Sequence, residues 1–456
     1  MKFLKNQRMN KKIIIPKQII CVDEEERILR NHYIEISDGK ISAIKPIGAL
    51  DFSSIKGEVI KYENLTVIPG FVQTHIHLCQ TLFRGFADDL QLLDWLRQRI
   101  FPLENAHNKN SIKVSAQIGL HELQRGGTTT LMDMGSLQNE EFIFEELINS
   151  KQRAIAGNCL MDVNEICPQF KSGTADQLKL TEELAIQFHN SNNGKIKYAF
   201  SPRFVLSCSN KLMIESKLMA KDFPGSLYHT HSSENINEIE EVRKRFGAEN
   251  IIHFSNLNLL DDHTVLAHCV HTNELEIEKL KKTNTRIAHC PSANLKLASG
   301  IANIPKYLKE GISVSLGADG AACNNSLSAF TEMRLASLIQ KPVHGADSMS
   351  AKTVFKLATI EGAKALHLEK EIGSIEVGKK ADLVFLNLES PFHPLTDNDD
   401  DLYSSIVYSS GKEDVINVMI EGEWVVKDRT SIHYDEHELY INGKKEFEDL
   451  VKRARL

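Results

Sequence analysis

The chain has 456 residues, of which 42% are hydrophobic and 25% charged, and a formal net charge of −7. That length accommodates two or three domains, or one large barrel with an accessory domain, and a core big enough to need no disulfides. The acidic balance argues against a nucleic-acid or anionic-membrane surface; no apolar run approaches a membrane span; and eight scattered cysteines without a Cys-x-x-Cys pair argue against zinc ribbons and fit a reducing cytoplasm.

Residues 1–8 precede a second methionine, Met9, and are expected to be a tail or a start-site artefact. The following apolar run, Ile13–Ile15, is stopped by Pro16 and is too short for a signal-peptide core. Short β-type runs then follow at Ile19–Val22, Tyr33–Ile36, Ile41–Ile44 and Val59–Ile60, separated by turn residues such as Ser37-Asp38-Gly39-Lys40. From about residue 65 to 365 apolar strands alternate with helix-like stretches. The strand candidates are Thr66–Thr74, Thr128–Met132, Arg153–Met161, Tyr198–Phe200, Leu227–Thr230, Thr264–His268, Thr285–His289 and Ser313–Gly317. Eight β–α units predict a closed parallel barrel.

After about 365 the β pattern returns, with a turn at Gly373 feeding a strand to Leu386 and a hairpin of Val415–Ile420 and Glu423–Val426 around Glu421-Gly422. The β segments at the two ends are each too small to fold alone, so one small domain built from both is the economical reading. The predicted fold is therefore α/β: a (β/α)8 TIM barrel plus a small β-sandwich formed by both termini. Its boundaries are 1–66 and 366–456 for the sandwich and tail, and 67–365 for the barrel. Asp397–Asp401 is expected to be a solvated loop.

Active sites of such barrels lie at the C-terminal ends of the strands. The first strand runs into His75 and His77, two apart and so on one face. Imidazole is the commonest metal ligand, but with 18 histidines in the chain roughly one His-x-His arises by chance, so context decides. The fifth strand carries His229 and His231, followed by Glu234; the sixth ends at His268, the seventh at His289, and the eighth leads to Asp319. Each has a bland explanation when taken singly. A histidine after a strand is usually a satisfied polar residue, Asp319 suits a turn before Gly320, and Glu234 suits the first turn of a helix. Five strand ends of eight carrying His or Asp are not readily placed by chance.

These motifs, Pro-Gly-Phe-Val-Gln-Thr-His-Ile-His at 69–77, His-Ser-Ser-Glu at 231–234, Ala-His-Cys-Val-His at 267–271, Ala-His-Cys-Pro-Ser-Ala-Asn at 288–294 and Leu-Gly-Ala-Asp-Gly at 316–320, closely resemble the amidohydrolase superfamily, in its aminohydrolase branch. The resemblance covers nearly the whole chain. It implies His75, His77, His231 and Asp319 as metal ligands, with His229 one layer deeper. It implies Asp319 as proton acceptor, Glu234 as the acid that protonates a ring nitrogen, and His268 as the group that holds the oxygen added to the attacked carbon. Two-metal relatives need a lysine at the end of the fourth strand. None stands at 153–162, and Lys195 and Lys197 precede the next strand, so one metal per subunit is expected. Three imidazoles and a carboxylate suit Zn²⁺, with Fe²⁺ also compatible.

The segment Thr81–Leu96 resembles the loop of methylthioadenosine/S-adenosylhomocysteine and 5′-deoxyadenosine deaminases, in which the acid before Trp-Leu holds the ribose hydroxyls. Asp94, beside Trp95, occupies that position; the alternative is that Asp94 caps a helix beginning at Trp95. Pro202-Arg203-Phe204 instead resembles guanine deaminases, with Arg203 hydrogen-bonding the purine and Phe204 stacking on it. His289 completes the set of expected substrate-binding residues. The expected activity is hydrolytic deamination of an aminopurine nucleoside of the 5′-deoxyadenosine, methylthioadenosine or S-adenosylhomocysteine type, with guanine or 8-oxoguanine deamination and triazine hydrolysis as alternatives. The expected partners are a small purine or purine nucleoside, neither nucleic acid nor membrane, and further copies of the chain in a homo-oligomer. Non-enzymatic relatives typically lose metal ligands, whereas all four are present here.

Overall fold

A computed structural model describes residues 11–456 except 56, 166 and 397; residues 1–8, with the tail expected there, lie outside the described residues. The chain opens with β1 (Lys12–Ile20), β2 (Ile28–Arg30), β3 (His32–Ser37), β4 (Lys40–Pro46) and β5 (Glu58–Pro69). The barrel strands are β6 (Phe71–His77), β7 (Thr128–Asp133), β8 (Arg153–Ala156) with its continuation β9 (Cys159–Leu160), β10 (Ile196–Pro202), β11 (Leu227–Ser232), β12 (Thr264–His268), β13 (Arg286–His289), and β14 (Val314–Leu316) with its continuation β15 (Asp319–Gly320). The chain then returns through β16 (Leu383–Leu386), β17 (Val415–Ile420), β18 (Glu423–Lys427) and β19 (Thr430–Ser431).

The second group forms one parallel sheet in the order β14-β13-β12-β11-β10-β8-β7-β6-β15. Because β14 and β15 are two pieces of one strand, the sheet that starts at one and ends at the other closes on itself. Eight strands interleaved with helices bury apolar side chains on both faces, as a parallel barrel requires. The seam is narrow. Thr74 Oγ1 lies 2.7 Å from Ser315 Oγ, and a Cβ on Gly317 would sit 2.7 Å from the His75 carbonyl oxygen. Only glycine lets the eighth strand come that close to the first.

The terminal strands make a single mixed sheet, β19-β18-β17-β16-β5-β1-β3-β4, with β2 on β1. It curls over its own core of Ile14, Ile34, Ile41, Val67, Leu383, Phe385 and Met419, and its β4 side closes against the lead-in to β16 through Ile41 N–H to Lys379 O and Ala381 N–H to Gly39 O. The expected first barrel strand, Thr66–Thr74, is really two: Thr66–Pro69 pairs with β16 in the small sheet, and the barrel strand begins after Gly70. A buried ion pair, Arg153 Nε to Asp382 Oδ2 at 3.1 Å, joins barrel to small sheet. One expectation changes. Asp399–Ser404 is a helix with an acid-rich first turn, where the helix dipole favours negative charge, rather than a solvated loop. The C-terminal tail is a helix, Glu436–Ala454, packed on the barrel helix Lys109–Arg125. Among the described residues all eight cysteines are free and buried, and no helix is long and apolar enough to cross a membrane.

Candidate metal and active site

Strand alternation turns His75 and His77 of β6 inward, and parallel pairing sets Asp319 beside Ile76 and Gly320 beside His77. Asp319 Oδ1 lies 3.3 Å from His75 Nε2 and 3.4 Å from His77 Nε2. His77 Nε2 lies 3.1 Å from His231 Nε2. Ligand atoms of these four residues all fall within 4.8 Å of one another. Metal–ligand distances of about 2.0–2.2 Å in a tetrahedron put ligand atoms about 3.3–3.6 Å apart, close to the observed spacing.

Each imidazole is aimed by its other nitrogen. His231 Nδ1 donates to the Arg203 carbonyl oxygen at 2.7 Å, which leaves a lone pair on Nε2. His75 Nδ1 pairs with His229 Nε2 at 2.9 Å, so the residue expected one layer deeper touches a ligand directly. His75 Nε2 is buried with no hydrogen-bond partner. Buried ring nitrogens converging beside a carboxylate are the donor set of a cation site, and the residues fit Zn²⁺. Burial lowers the pKa of His75, His77 and His231, which keeps the ligands neutral. Burial raises Asp319, but the facing imidazoles outweigh it and hold the carboxyl well below the usual carboxylate range.

His268 and Glu234 complete the pocket. His268 Nε2 is 3.5 Å from Glu234 Oε2 and 3.9 Å from Asp319 Oδ2, while its Nδ1 donates to Asn294 Oδ1 at 2.9 Å. Burial first, then the charges of Asp319 and Glu238, push the Glu234 carboxyl well up. Ser233, His268, Cys269 and Asp319 all have left-handed backbone, with φ between 48° and 73°. Such conformations cost about 1–3 kcal/mol each and cluster where a side chain must be re-aimed as a strand ends.

The cavity wall includes His77, Gln80, Trp95, Arg203, Phe204, Glu234, His268 and Asp319. Trp95, Arg203 and Phe204, expected to contact substrate, thus line the cavity, but Arg203 has a partner that sequence reasoning missed. Its guanidinium forks onto Glu104 at 2.6 and 3.1 Å and lies over Phe101, and Gln80 Nε2 donates to the same carboxylate at 2.8 Å. Asp94 lies outside this wall. It is exposed and paired with Arg97 at 2.7 Å, within the first turn of a helix that starts at Leu92 with Gln91 as its cap, so it does not cap a helix at Trp95. His289 also lies outside the wall, fully buried with both ring nitrogens unpartnered among the described residues. Lys195 pairs with Glu421 of the small domain, at the opposite end of the barrel from the metal ligands. A second cluster, Asp262, His263 and His367, has ligand atoms equally close. Asp262 and His263 are exposed and His367 half-buried, and the cluster is internally hydrogen-bonded and flanked by Arg286.

Residues 66–425 match the model described as the amidohydrolase family. The 5′-deoxyadenosine deaminase of Methanocaldococcus jannaschii is 34% identical over 411 residues, covering 89% of this chain and 94% of that protein. The 5-methylthioadenosine/S-adenosylhomocysteine deaminase of Caldanaerobacter subterraneus subsp. tengcongensis is 34% identical over 434 residues, covering 94% and 96%. Among solved structures, an adenosine deaminase from Xanthomonas campestris with bound zinc superposes with a TM-score of 0.90 at 27% identity, covering 97% and 99% of the two chains.

Proposed function

The chain belongs to the amidohydrolase family, and from that premise we propose that it is a hydrolytic deaminase of an aminopurine nucleoside, of the 5′-deoxyadenosine, methylthioadenosine or S-adenosylhomocysteine type. The observation that carries this reading is the pairing of a four-ligand cluster with a buried acid, Glu234, across one cavity. Relatives named for these substrates match nearly end to end.

His75, His77, His231 and Asp319 would hold one Zn²⁺ ion. When bound, that ion supplies Lewis acidity and a water nucleophile at neutral pH. The chain's own residues do the rest. Asp319 accepts a proton from the attacking water. Glu234, kept protonated by burial, donates to the ring nitrogen next to the amine-bearing carbon. His268, turned by Asn294 so that Nε2 faces the cavity, holds the oxygen that joins the carbon. The carbon–nitrogen bond then breaks, its electron pair and the shuttled proton leaving with the amine. One water enters and one ammonia departs, and an inosine-type product remains.

Asp94 is our candidate for the ribose diol. An exposed ion pair such as that with Arg97 is worth about 0–1 kcal/mol, so the carboxylate exchanges readily onto two hydroxyls. Phe204, on the cavity wall, is our candidate for stacking on the base. Arg203 beside it favours a second reading, guanine deamination, yet its guanidinium is already committed to Glu104. The test is ammonia release by zinc-loaded protein from 5′-deoxyadenosine, methylthioadenosine, S-adenosylhomocysteine, guanine and 8-oxoguanine. We expect turnover of the three nucleosides. Ammonia from guanine alone would overturn the substrate assignment, and none from any of the five would overturn the activity.

A further inference from the structure

One buried carboxylate outside the cavity is hydrogen-bonded to the supports of both sides of the proposed proton-transfer machinery. Glu332 lies on the helix Ala329–Leu338 and is 1% exposed. Its Oε1 accepts from Ser292 Oγ at 2.5 Å and from Asn324 Nδ2 at 2.8 Å; its Oε2 accepts from the Ser292 N–H at 3.2 Å.

Each partner leads to a reacting group. Ser292 sits in the short helix Pro291–Lys296 that also carries Asn294, the acceptor for His268 Nδ1. Asn324 gives its other amide hydrogen to the Ala318 carbonyl oxygen at 2.7 Å, immediately before Asp319. The Ala318 N–H is fixed in turn on Gln73 Oε1 at 3.0 Å. Asp319 itself has φ 61°, a conformation that persists only when its neighbours over-determine it. Two acceptors, Glu332 Oε1 and the Ala318 carbonyl, hold the side-chain amide of Asn324 with Nδ2 between them; loss of the carboxylate removes one of the two and loosens the donor that Ala318 depends on.

We infer that Glu332 is a positioning residue for the proposed deamination, clamping the His268-orienting helix and the Asp319 loop to one point so that the two groups stay in register. The inference rests on the deaminase reading for its kinetic consequence. It does not for its effect on metal binding, because Asp319 is a proposed ligand. Partners that orient a ligand typically contribute about 10–100-fold to metal affinity or activity.

The experiment compares Glu332→Ala and Glu332→Gln with wild type in two measurements: kcat and KM on 5′-deoxyadenosine, and Zn²⁺ dissociation from the protein by competition with a chelator of known affinity. For Glu332→Ala we expect kcat to fall about 10–100-fold with KM within about threefold, and Zn²⁺ to be held about 10-fold or more weakly. Glu332→Gln keeps an oxygen for Asn324 and Ser292 Oγ and should lie nearer wild type. Should Glu332→Ala fail to fold, Asn324→Ala and Ser292→Ala separate the arms: the first should weaken Zn²⁺ binding, the second should lower kcat with Zn²⁺ affinity retained. Folded Glu332→Ala with wild-type kcat and Zn²⁺ affinity, or with only KM raised, would overturn the clamp, as would wild-type behaviour of both single-arm variants. If wild type releases no ammonia, the deaminase reading falls and the Zn²⁺ measurement alone decides.

Discussion

His75 and His229 meet edge to face, Nδ1 to Nε2 at 2.9 Å, so a metal-facing imidazole is oriented by a second imidazole where a carboxylate or backbone carbonyl is the commoner partner. With His75 Nε2 free for a cation, its Nδ1 carries the hydrogen and His229 accepts it. Replacing His229 with Ala should weaken Zn²⁺ binding about 10–100-fold while the fold survives. Equilibrium dialysis against buffered Zn²⁺ would read this, and unchanged occupancy would refute the orienting role.

Glu234 is buried beside His268 and faces the cavity. Glu234→Gln removes the transferable proton with little change in volume. Turnover should fall about 10²–10⁴-fold, with the zinc content of the purified protein unchanged. Near-normal turnover would remove Glu234 from the role of acid.

Glu104 and Arg203 form a buried bidentate pair, with side chains 2% and 4% exposed. Glu104→Ala strands a guanidinium without its counter-charge, which should destabilise the protein by about 3–5 kcal/mol. Denaturant unfolding of the metal-free protein measures it directly. A midpoint equal to wild type would mean that water or a neighbour replaces the carboxylate.

The exposed pair of Asp94 and Arg97 should behave in the opposite way. Asp94→Ala should cost no more than about 1 kcal/mol of stability. It should raise KM for nucleosides and leave KM for adenine, which has no ribose, unaltered. Equal effects on nucleoside and base would exclude Asp94 as the diol ligand.

His107 offers a pH test away from the metal ligands. Its Nε2 donates to Cys79 O at 2.8 Å and its Nδ1 accepts from Ser111 Oγ at 3.0 Å, which satisfies the neutral ring. Burial pushes its pKa from 6.5 down to about 4. A depressed folded-state pKa stabilises the fold fully above the unfolded value of 6.5, and that contribution disappears as pH falls towards 4. At 1.36 kcal/mol per unit, about 3 kcal/mol is lost across that window. His107→Gln should flatten the stability curve between pH 6.5 and 4; a variant whose curve keeps the wild-type slope there would show that other groups set it.

Much of the site could be read directly because barrel strands end where their polar residues begin. His75, His77, His231, His268 and Asp319 each follow an apolar run, and the parallel barrel collects those ends by construction. Glu104 was not legible in that way. It follows Phe101-Pro102-Leu103 in the short helix Phe101–Asn105, far from any strand end, and only the three-dimensional fork with Arg203 shows its purpose. The available signal was a charge set among apolar residues, which buries only with a partner. The left-handed turns at Ser233 and Cys269 were equally hidden, since no glycine marks them. Asn294, Asn324 and Glu332 act through hydrogen bonds between segments that no local pattern connects.

The strand β5 runs into β6 through Gly70 alone, so the small sheet and the first two proposed metal ligands share one piece of backbone. On its other edge β5 is hydrogen-bonded to β16, which follows the whole barrel in the chain. During synthesis, therefore, His75 and His77 emerge early, but the strand leading into them has only β1 beside it and lacks its second neighbour until the barrel has been translated. Pairing over so long a separation in sequence is slow to form and leaves an unpaired edge open in the interval. Nascent chains stalled before Leu383 should expose that edge, and the order in which the ribosome delivers β16 governs when the strand leading into His75 and His77 gains its second neighbour.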